Sequence, residues 1–202
     1  YLFVLLARFS GPSTDLQSVE ELGAVCLSPD HSPEERILAI KQLEELGTFA
    51  DAAIPHLLKA MADGNEDIRN AASVALEAID SEWAESEAAT ETLPELIKLL
   101  MSKEEAARSA AAEVLEKIDP RWPESEAALS MIPSLVNALF ETDKGSQIAG
   151  AEALGNIGPA AKKTVPHLVK TLSNRDKNVR RAVAEALGKM GPEVSEEAVP
   201  PL

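Results

Sequence analysis

An apolar residue followed by proline, and then by an apolar-rich stretch, recurs along this chain. It occurs at Ile54-Pro55, Leu93-Pro94, Ile132-Pro133, Val165-Pro166 and Val199-Pro200, spaced 39, 39, 33 and 34 residues apart. A period of this length marks stacked supersecondary units, none of which can cover its own apolar face alone. Proline suits a first helical turn, where its missing N–H would have no intrahelical partner. Each marker therefore predicts the opening of a helix with helix-period apolar residues, such as Leu57, Leu58 and Met61, or Leu168, Val169 and Leu172.

A second marker closes each unit. Leu43, Leu76, Leu115, Leu154 and Leu187 each stand four residues before Gly47, Asp80, Asp119, Gly158 or Gly191. A glycine or short polar residue just past a helix is a stop signal. Seven residues before each of these leucines stands Arg36, Arg69, Arg108, Gln147 or Arg180, and four before that Ser32, Asn65, Glu104, Asp143 or Asp176. Four of those last five are good N-caps, and Ser32-Pro33-Glu34-Glu35 has capping-box spacing. Each unit thus contains a second helix running from the cap to the Gly or Asp. The small residues Ala71–Ala72, Ala110–Ala112, Ala149–Ala151 and Ala182–Ala184 are expected to form its close-packed face.

Composition agrees with a helical stack. Aromatics make up only 3 % of the 202 residues, while Ala, Leu and Glu abound, which is poor material for a β-sandwich or barrel. The stretch Thr164–Gly191, TVPHLVKTLSNRDKNVRRAVAEALGKMG, carries the pattern most completely and resembles bacterial HEAT repeats, particularly the phycocyanobilin-lyase-like HEAT group. The resemblance covers about residues 13–202. The first unit departs most: it lacks the proline marker but keeps Ser32, Arg36, Leu43 and Gly47. The fourth departs at Gln147, which interrupts a continuous arginine ladder.

The resemblance implies an all-α, right-handed α-solenoid of about five HEAT-type helix pairs. The units are expected at about 13–51, 52–91, 92–130, 131–163 and 164–197, with 198–202 starting a sixth. Residues 1–12 form a separate apolar segment, read either as a capping helix or as the remnant of a signal or anchor; Tyr1–Phe9 is too short to span a bilayer as a helix. The missing initiator Met and the stop inside an opening motif predict that the chain continues at both ends. A membrane partner follows only from the anchor reading, and the cytoplasm is otherwise favoured.

The 39-residue spacings come from two matching inserts, SEWAESEAATETLP and PRWPESEAALSMIP, which place Trp83 and Trp122, and Ser86 and Ser125, 39 residues apart. Each Trp is expected to cover the ends of adjacent helices and each Ser to cap the next first helix; the competing reading makes the Trp pair a partner-binding ridge.

Searching for chemistry yields little. His31, His56 and His167 are dispersed, and no Cys/His set has zinc spacing. No phosphate loop or nucleophile elbow is present. Asp63–Asp67 is too short for a calcium loop, and a helix cap explains Asn65. Cys26 is read as a buried, inert thiol. The recurring arginines are read as structural, pairing with carbonyls and with acids such as Asp30, Asp63 or Asp176. The sequence points to no cofactor, no metal and no enzyme activity.

The net charge of −15 is uneven: residues 1–159 carry 11 Lys+Arg against 29 Asp+Glu, while residues 160–191 carry 8 against 2. So acidic a body excludes a general nucleic-acid binder. In HEAT solenoids the second helices usually line the concave face. Helical spacing then projects Asn70, Glu77, Ser109, Glu113, Glu116, Lys117, Glu152, Asn156, Arg181, Glu185 and Lys189 from the packed side. The expected function is a non-catalytic scaffold that holds a protein partner bearing a basic patch in this largely acidic groove. The alternative that the resemblance supplies is a bilin lyase or chromophore chaperone.

Overall fold

A computed structural model describes residues 16–191 of the chain. The N-terminal apolar segment and the start of a sixth unit lie outside them. Among the described residues there are ten α-helices and no strand: α1 (Leu16–Leu27), α2 (Pro33–Leu46), α3 (Ile54–Ala60), α4 (Glu66–Ile79), α5 (Glu87–Leu99), α6 (Glu105–Ile118), α7 (Glu126–Ala138), α8 (Lys144–Ile157), α9 (Val165–Thr171) and α10 (Lys177–Lys189). First and second helices alternate, the order of an α-solenoid of HEAT-type helix pairs. None of these helices is long and apolar enough to cross a membrane.

The chain divides into two compact units, one ending at Thr92 and one beginning at Leu93. In the first, α2 packs against α1 and α4, and α3 against α1 and α4. In the second, α8 packs against its own first helix α7 and between the second helices α6 and α10, while α9 packs on α10. Within each unit second helices thus stack on second helices, and α8 is flanked by them on both sides. Ala39, Ile40 and Leu43 on α2, Ala72, Ala75 and Leu76 on α4, Ala111 and Leu115 on α6, and Ala151 and Leu154 on α8 are all buried.

The caps fall on the expected residues. Ser32 accepts from the Glu35 N–H while the Glu35 side chain accepts from the Ser32 N–H at 2.9 Å, a complete capping box. Asn65, Asp143 and Asp176 accept from N–H groups two or three residues on, at 2.8, 3.0 and 2.8 Å. Glu104, the poor cap of the five, makes no side-chain cap bond. Ser86 and Ser125 cap α5 and α7, accepting from Ala89 and Ala128 at 3.1 and 3.2 Å.

The closing residue selects the linker. Gly47 and Gly158 adopt φ of 55° and 62°, with ψ of −134°, a region that side chains other than hydrogen rarely reach. Each turns directly into a seven-residue 3-10 segment, Gly47–Ala53 or Gly158–Thr164, that feeds a seven-residue first helix. Asp80 and Asp119 are instead extended (φ −149° and −150°). Their carboxylates accept from the N–H two residues on, at 2.9 Å from Glu82 and 2.8 Å from Arg121, and a short 3-10 turn beginning with Trp83 or Trp122 follows.

This corrects the proline expectation for two of the units. Pro55 and Pro166 do open α3 and α9. Pro94 and Pro133 lie inside α5 and α7, because the serine caps start those helices seven residues earlier.

Two glycines set how closely α8 approaches its neighbours. A Cβ on Gly150 would lie 2.9 Å from the Leu135 carbonyl oxygen of α7, and one on Gly155 only 2.7 Å from the Ala186 Cα of α10. Both obstacles are backbone and cannot rotate away. Gly188, on the exposed part of α10, has nothing within 4 Å of such a Cβ. Gly155→Ala should therefore destabilise the fold by about 1–3 kcal/mol through overpacking, despite Ala's better helix propensity. Gly188→Ala should be neutral or stabilising by up to about 1 kcal/mol. Urea denaturation of the two variants checks the pair.

Candidate functional site

The recurring Arg/Gln position is structural, and its geometry repeats. Arg69 Nη1 donates to the carbonyls of Asp63 and Gly64 at 2.8 and 2.9 Å. Arg108 does the same to Ser102 and Lys103 at 2.9 and 3.1 Å, and Arg180 to Asn174 and Arg175 at 2.8 and 3.0 Å. Gln147 donates to the Glu141 carbonyl at 2.6 Å. Each side chain thus reaches five or six residues back and fastens the turn that joins the two helices of its pair.

The position also reaches forward. Arg36 donates through Nε to the Cys26 carbonyl at 2.8 Å and pairs with the Asp63 carboxylate. Gln147 Oε1 accepts from Asn174 at 3.2 Å. Asp63 and Asn174 are the very residues whose carbonyls receive Arg69 and Arg180, so each link carries the connection to the next pair. Arg108 differs. Only 4 % exposed, it pairs through Nε with Glu152 of α8 at 2.7 Å. Of the acids expected to serve arginines, Asp63 does. Asp176 receives Lys144 at 2.8 Å, which helps hold its carboxyl below the usual carboxylate range.

The other groups weighed for chemistry are occupied or buried. The Asp63 carboxylate takes Arg36 on one oxygen and the Asn65 N–H at 2.8 Å on the other. Cys26 is fully buried; burial pushes its thiol up to about 12, and its S–H donates to the Leu22 carbonyl. His56 packs its ring against Gly23 of α1, with Nδ1 buried and unpartnered among the described residues. Burial, reinforced by Lys59 and opposed by Glu20, holds its imidazole below the ordinary 6.5. Both tryptophans are buried, and Trp83 Nε1 donates to Glu77 Oε1 at 3.1 Å. They are packing residues, as the structural reading expected.

Within the second unit, a groove of about 570 Å³ opens beside Trp122. Its lining includes Glu113 and Glu116 of α6, Asn156 of α8 and Lys189 of α10. Pro120, Trp122, Pro123, Ile157 and Pro159 supply apolar lining, and Arg121 and Glu124 sit at the rim. Lys189 Nζ donates to Asn156 Oδ1 at 2.8 Å, and Arg121 pairs with Glu124 at 3.2 Å. Glu113 and Glu116 are exposed and have no ion-pair partner among the described residues. The groove therefore combines the two exposed carboxylates Glu113 and Glu116, the cations Arg121 and Lys189, and apolar lining.

Four of the expected surface residues, Glu113, Glu116, Asn156 and Lys189, are brought together here. Ser109 is exposed on α6 but does not line the groove, and neither does Glu152, whose carboxylate is engaged by Arg108. Arg181 and Glu185 pair with one another along α10 at 3.7 Å. Asn70 and Glu77 are exposed on α4 in the first unit, Glu77 holding Trp83. Sequence reasoning missed the apolar lining from Pro120, Pro123 and Pro159.

Residues 132–202 match the family model of HEAT repeats. That model names HEAT repeats, not the lyase-like group within them. No curated protein matches the chain. Among solved structures, the crystal structure of an engineered protein is similar at 22 % identity and a TM-score of 0.44, over 96 % of this chain. This chain spans 59 % of that protein's length. A designed armadillo repeat protein in complex with the peptide (KR)4 is similar at 18 % identity and a TM-score of 0.32, over 86 % of this chain and 99 % of that one.

Arg108→Met should cost about 3 kcal/mol, because it strands two loop carbonyls and leaves Glu152 uncompensated. Glu152→Gln, which keeps an acceptor in place, should cost clearly less; chemical denaturation ranks the two. The lowered His56 pKa means that the unfolded chain binds a proton more readily than the folded one. Its contribution to stability is present above pH 6.5 and is lost as pH falls below that value toward the folded pKa. In the difference between wild type and His56→Gln, denaturation midpoints from pH 8 to 5 should show this acid-side loss.

Proposed function

We propose that this protein is a non-catalytic scaffold that binds another protein, and that the groove beside Trp122 takes a basic segment of that partner. HEAT-type repeats build extended surfaces from their exposed helix faces, and interaction scaffolding is their general use. The observation that carries the reading to this site is the pair Glu113 and Glu116. They are exposed carboxylates without an ion-pair partner among the described residues, in a groove whose lining includes Pro120, Pro123, Pro159, Ile157 and Trp122. A lysine or arginine there would gain two opposite charges, and its stem and neighbours would bury against that lining. Lys189, which also lines the groove, donates to Asn156 Oδ1 at 2.8 Å.

The placement of this groove on the concave face of a right-handed solenoid belongs to the same proposal. The acidic stripe on α6 supports it. A bilin-handling role rests on resemblance alone, and the groove residues offer it no specific support.

A Lys/Arg-rich synthetic peptide containing proline is a direct probe. It should bind the full chain saturably, with an affinity that falls as salt rises. Glu113→Gln combined with Glu116→Gln should weaken binding about tenfold or more and flatten the salt dependence, while leaving the melting temperature unchanged. Because Glu152 supports the fold through Arg108, it is kept intact in this test. Unaltered peptide affinity in the double variant would remove the groove from the account.

A further inference from the structure

A second surface of the same unit lies on its first helices and has a different chemistry. Along α7 the exposed residues include Leu129 and Pro133, and two residues past the helix, in the turn that follows, stands Phe140. Leu129 and Phe140 are 41 % and 48 % exposed, which places two large apolar side chains in water, one on α7 and one in the turn after it. With half-buried Val136 between them, these positions are spaced by four, three and four residues, the spacing of a single helical face. Nothing in the packing of α7 requires them there: its buried residues are Ala128, Leu135 and Ala138.

The neighbouring first helix, α9, presents cations at the same rhythm. Lys163, His167 and Lys170 are exposed and lie four and three residues apart. The two stripes meet at Phe140. Lys170 Nζ stands 5.3 Å from the centroid of the Phe140 ring, and the His167 ring meets its edge at 6.2 Å and 67°. A cation over an exposed ring keeps that ring fixed in water and adds charge at its border. Lys163 and Lys170 have no ion-pair partner among the described residues. The acids closest in sequence to Phe140 are Glu141 and the α8 cap Asp143, the latter engaged by the Ser146 N–H and hydroxyl.

We infer that the α7–α9 face is a second docking surface, and that its occupant is an acidic amphipathic segment of a partner protein. The segment's apolar residues would lie along Leu129, Pro133 and Phe140, and its carboxylates would lie against Lys163 and Lys170. The charge complementarity has a wider basis: residues 160–191 carry 8 Lys+Arg against 2 Asp+Glu, in a chain whose net charge is −15. This basic field draws an acidic segment to this face, whereas the Glu113–Glu116 pair of the groove repels it. Apolar anchors with a charged border match the way grooves and helix faces receive amphipathic helices. The surface is made by first helices and the turns beside them, and the groove by second helices and linkers, with no residue in common, so the two can be disabled separately.

Selection of a random 16-residue peptide display library on the purified full chain tests this without a known partner. Peptides enriched in Asp and Glu, with apolar residues three and four apart, are expected. Their affinity, measured by fluorescence anisotropy on the synthesised peptide, should fall about tenfold or more with Lys163→Glu plus Lys170→Glu, and about fivefold with Phe140→Ala. Glu113→Gln plus Glu116→Gln should leave it within about twofold. The side chains replaced are exposed, and matching circular dichroism melts confirm that each variant folds. A selection that returns no acidic class, or acidic peptides indifferent to Phe140 and the two lysines, overturns the inference. So does sedimentation showing that the chain fills this face with a second copy of itself, through dimers abolished by Lys170→Glu.

Discussion

The structure depends on one recurring contact, a long polar side chain on each second helix that donates backward into the turn preceding it. Arg69, Arg108 and Arg180 each satisfy two turn carbonyls, and Gln147 satisfies one. A tight turn between two helices leaves such carbonyls without helical partners, and burying them unpaired would be costly. The same position then reaches the next pair, through Arg36 to Asp63 and through Gln147 to Asn174. Stacking and turn closure are therefore one network. Arg108 reaches forward differently, to Glu152 on the facing helix α8, and is itself buried.

Closeness of approach is the second constraint. With few aromatics, this chain fills its core with Ala, Leu and Ile, and gains density by bringing helix backbones together. Gly150 and Gly155 do this on two sides of α8. The Asp-Trp linkers bury Trp83 and Trp122, and the serine caps lengthen the helices that follow. The groove beside Trp122 borders that residue's linker, with Pro120, Trp122 and Pro123 in its lining.

Much of this was legible in the residues themselves. Caps, stop signals and the recurring Arg are short-range chemistry, so Ser32, Asn65, Asp143, Asp176, Ser86 and Ser125 could be placed from spacing alone. Glu104 could be marked as the weak cap for the same reason. The start of α5 and α7 was harder. Proline permits a helix to begin but does not compel it, and Ser86 and Ser125 won by capping seven residues earlier. The candidate site was legible only in part. Helical spacing tells which side of a helix a residue takes, which is why Glu113, Glu116, Asn156 and Lys189 were found. It does not tell which carboxylate is already spoken for, which is why Glu152 stood beside them. Nor does it see an apolar lining assembled from two linkers.

The two tryptophans offer the most direct test of the central claim, that the groove of the second unit receives a basic segment. The chain has only these two indoles, Trp122 lining the groove and Trp83 in the first unit. In a nitrogen-15-labelled sample their indole N–H resonances form a two-signal spectrum, assigned by replacing each with Phe in turn. On titration with a proline-containing Lys/Arg-rich peptide, the account predicts that the Trp122 signal moves saturably and the Trp83 signal stays in place. Peptide binding that leaves Trp122 unmoved, or that moves Trp83 instead, would contradict it.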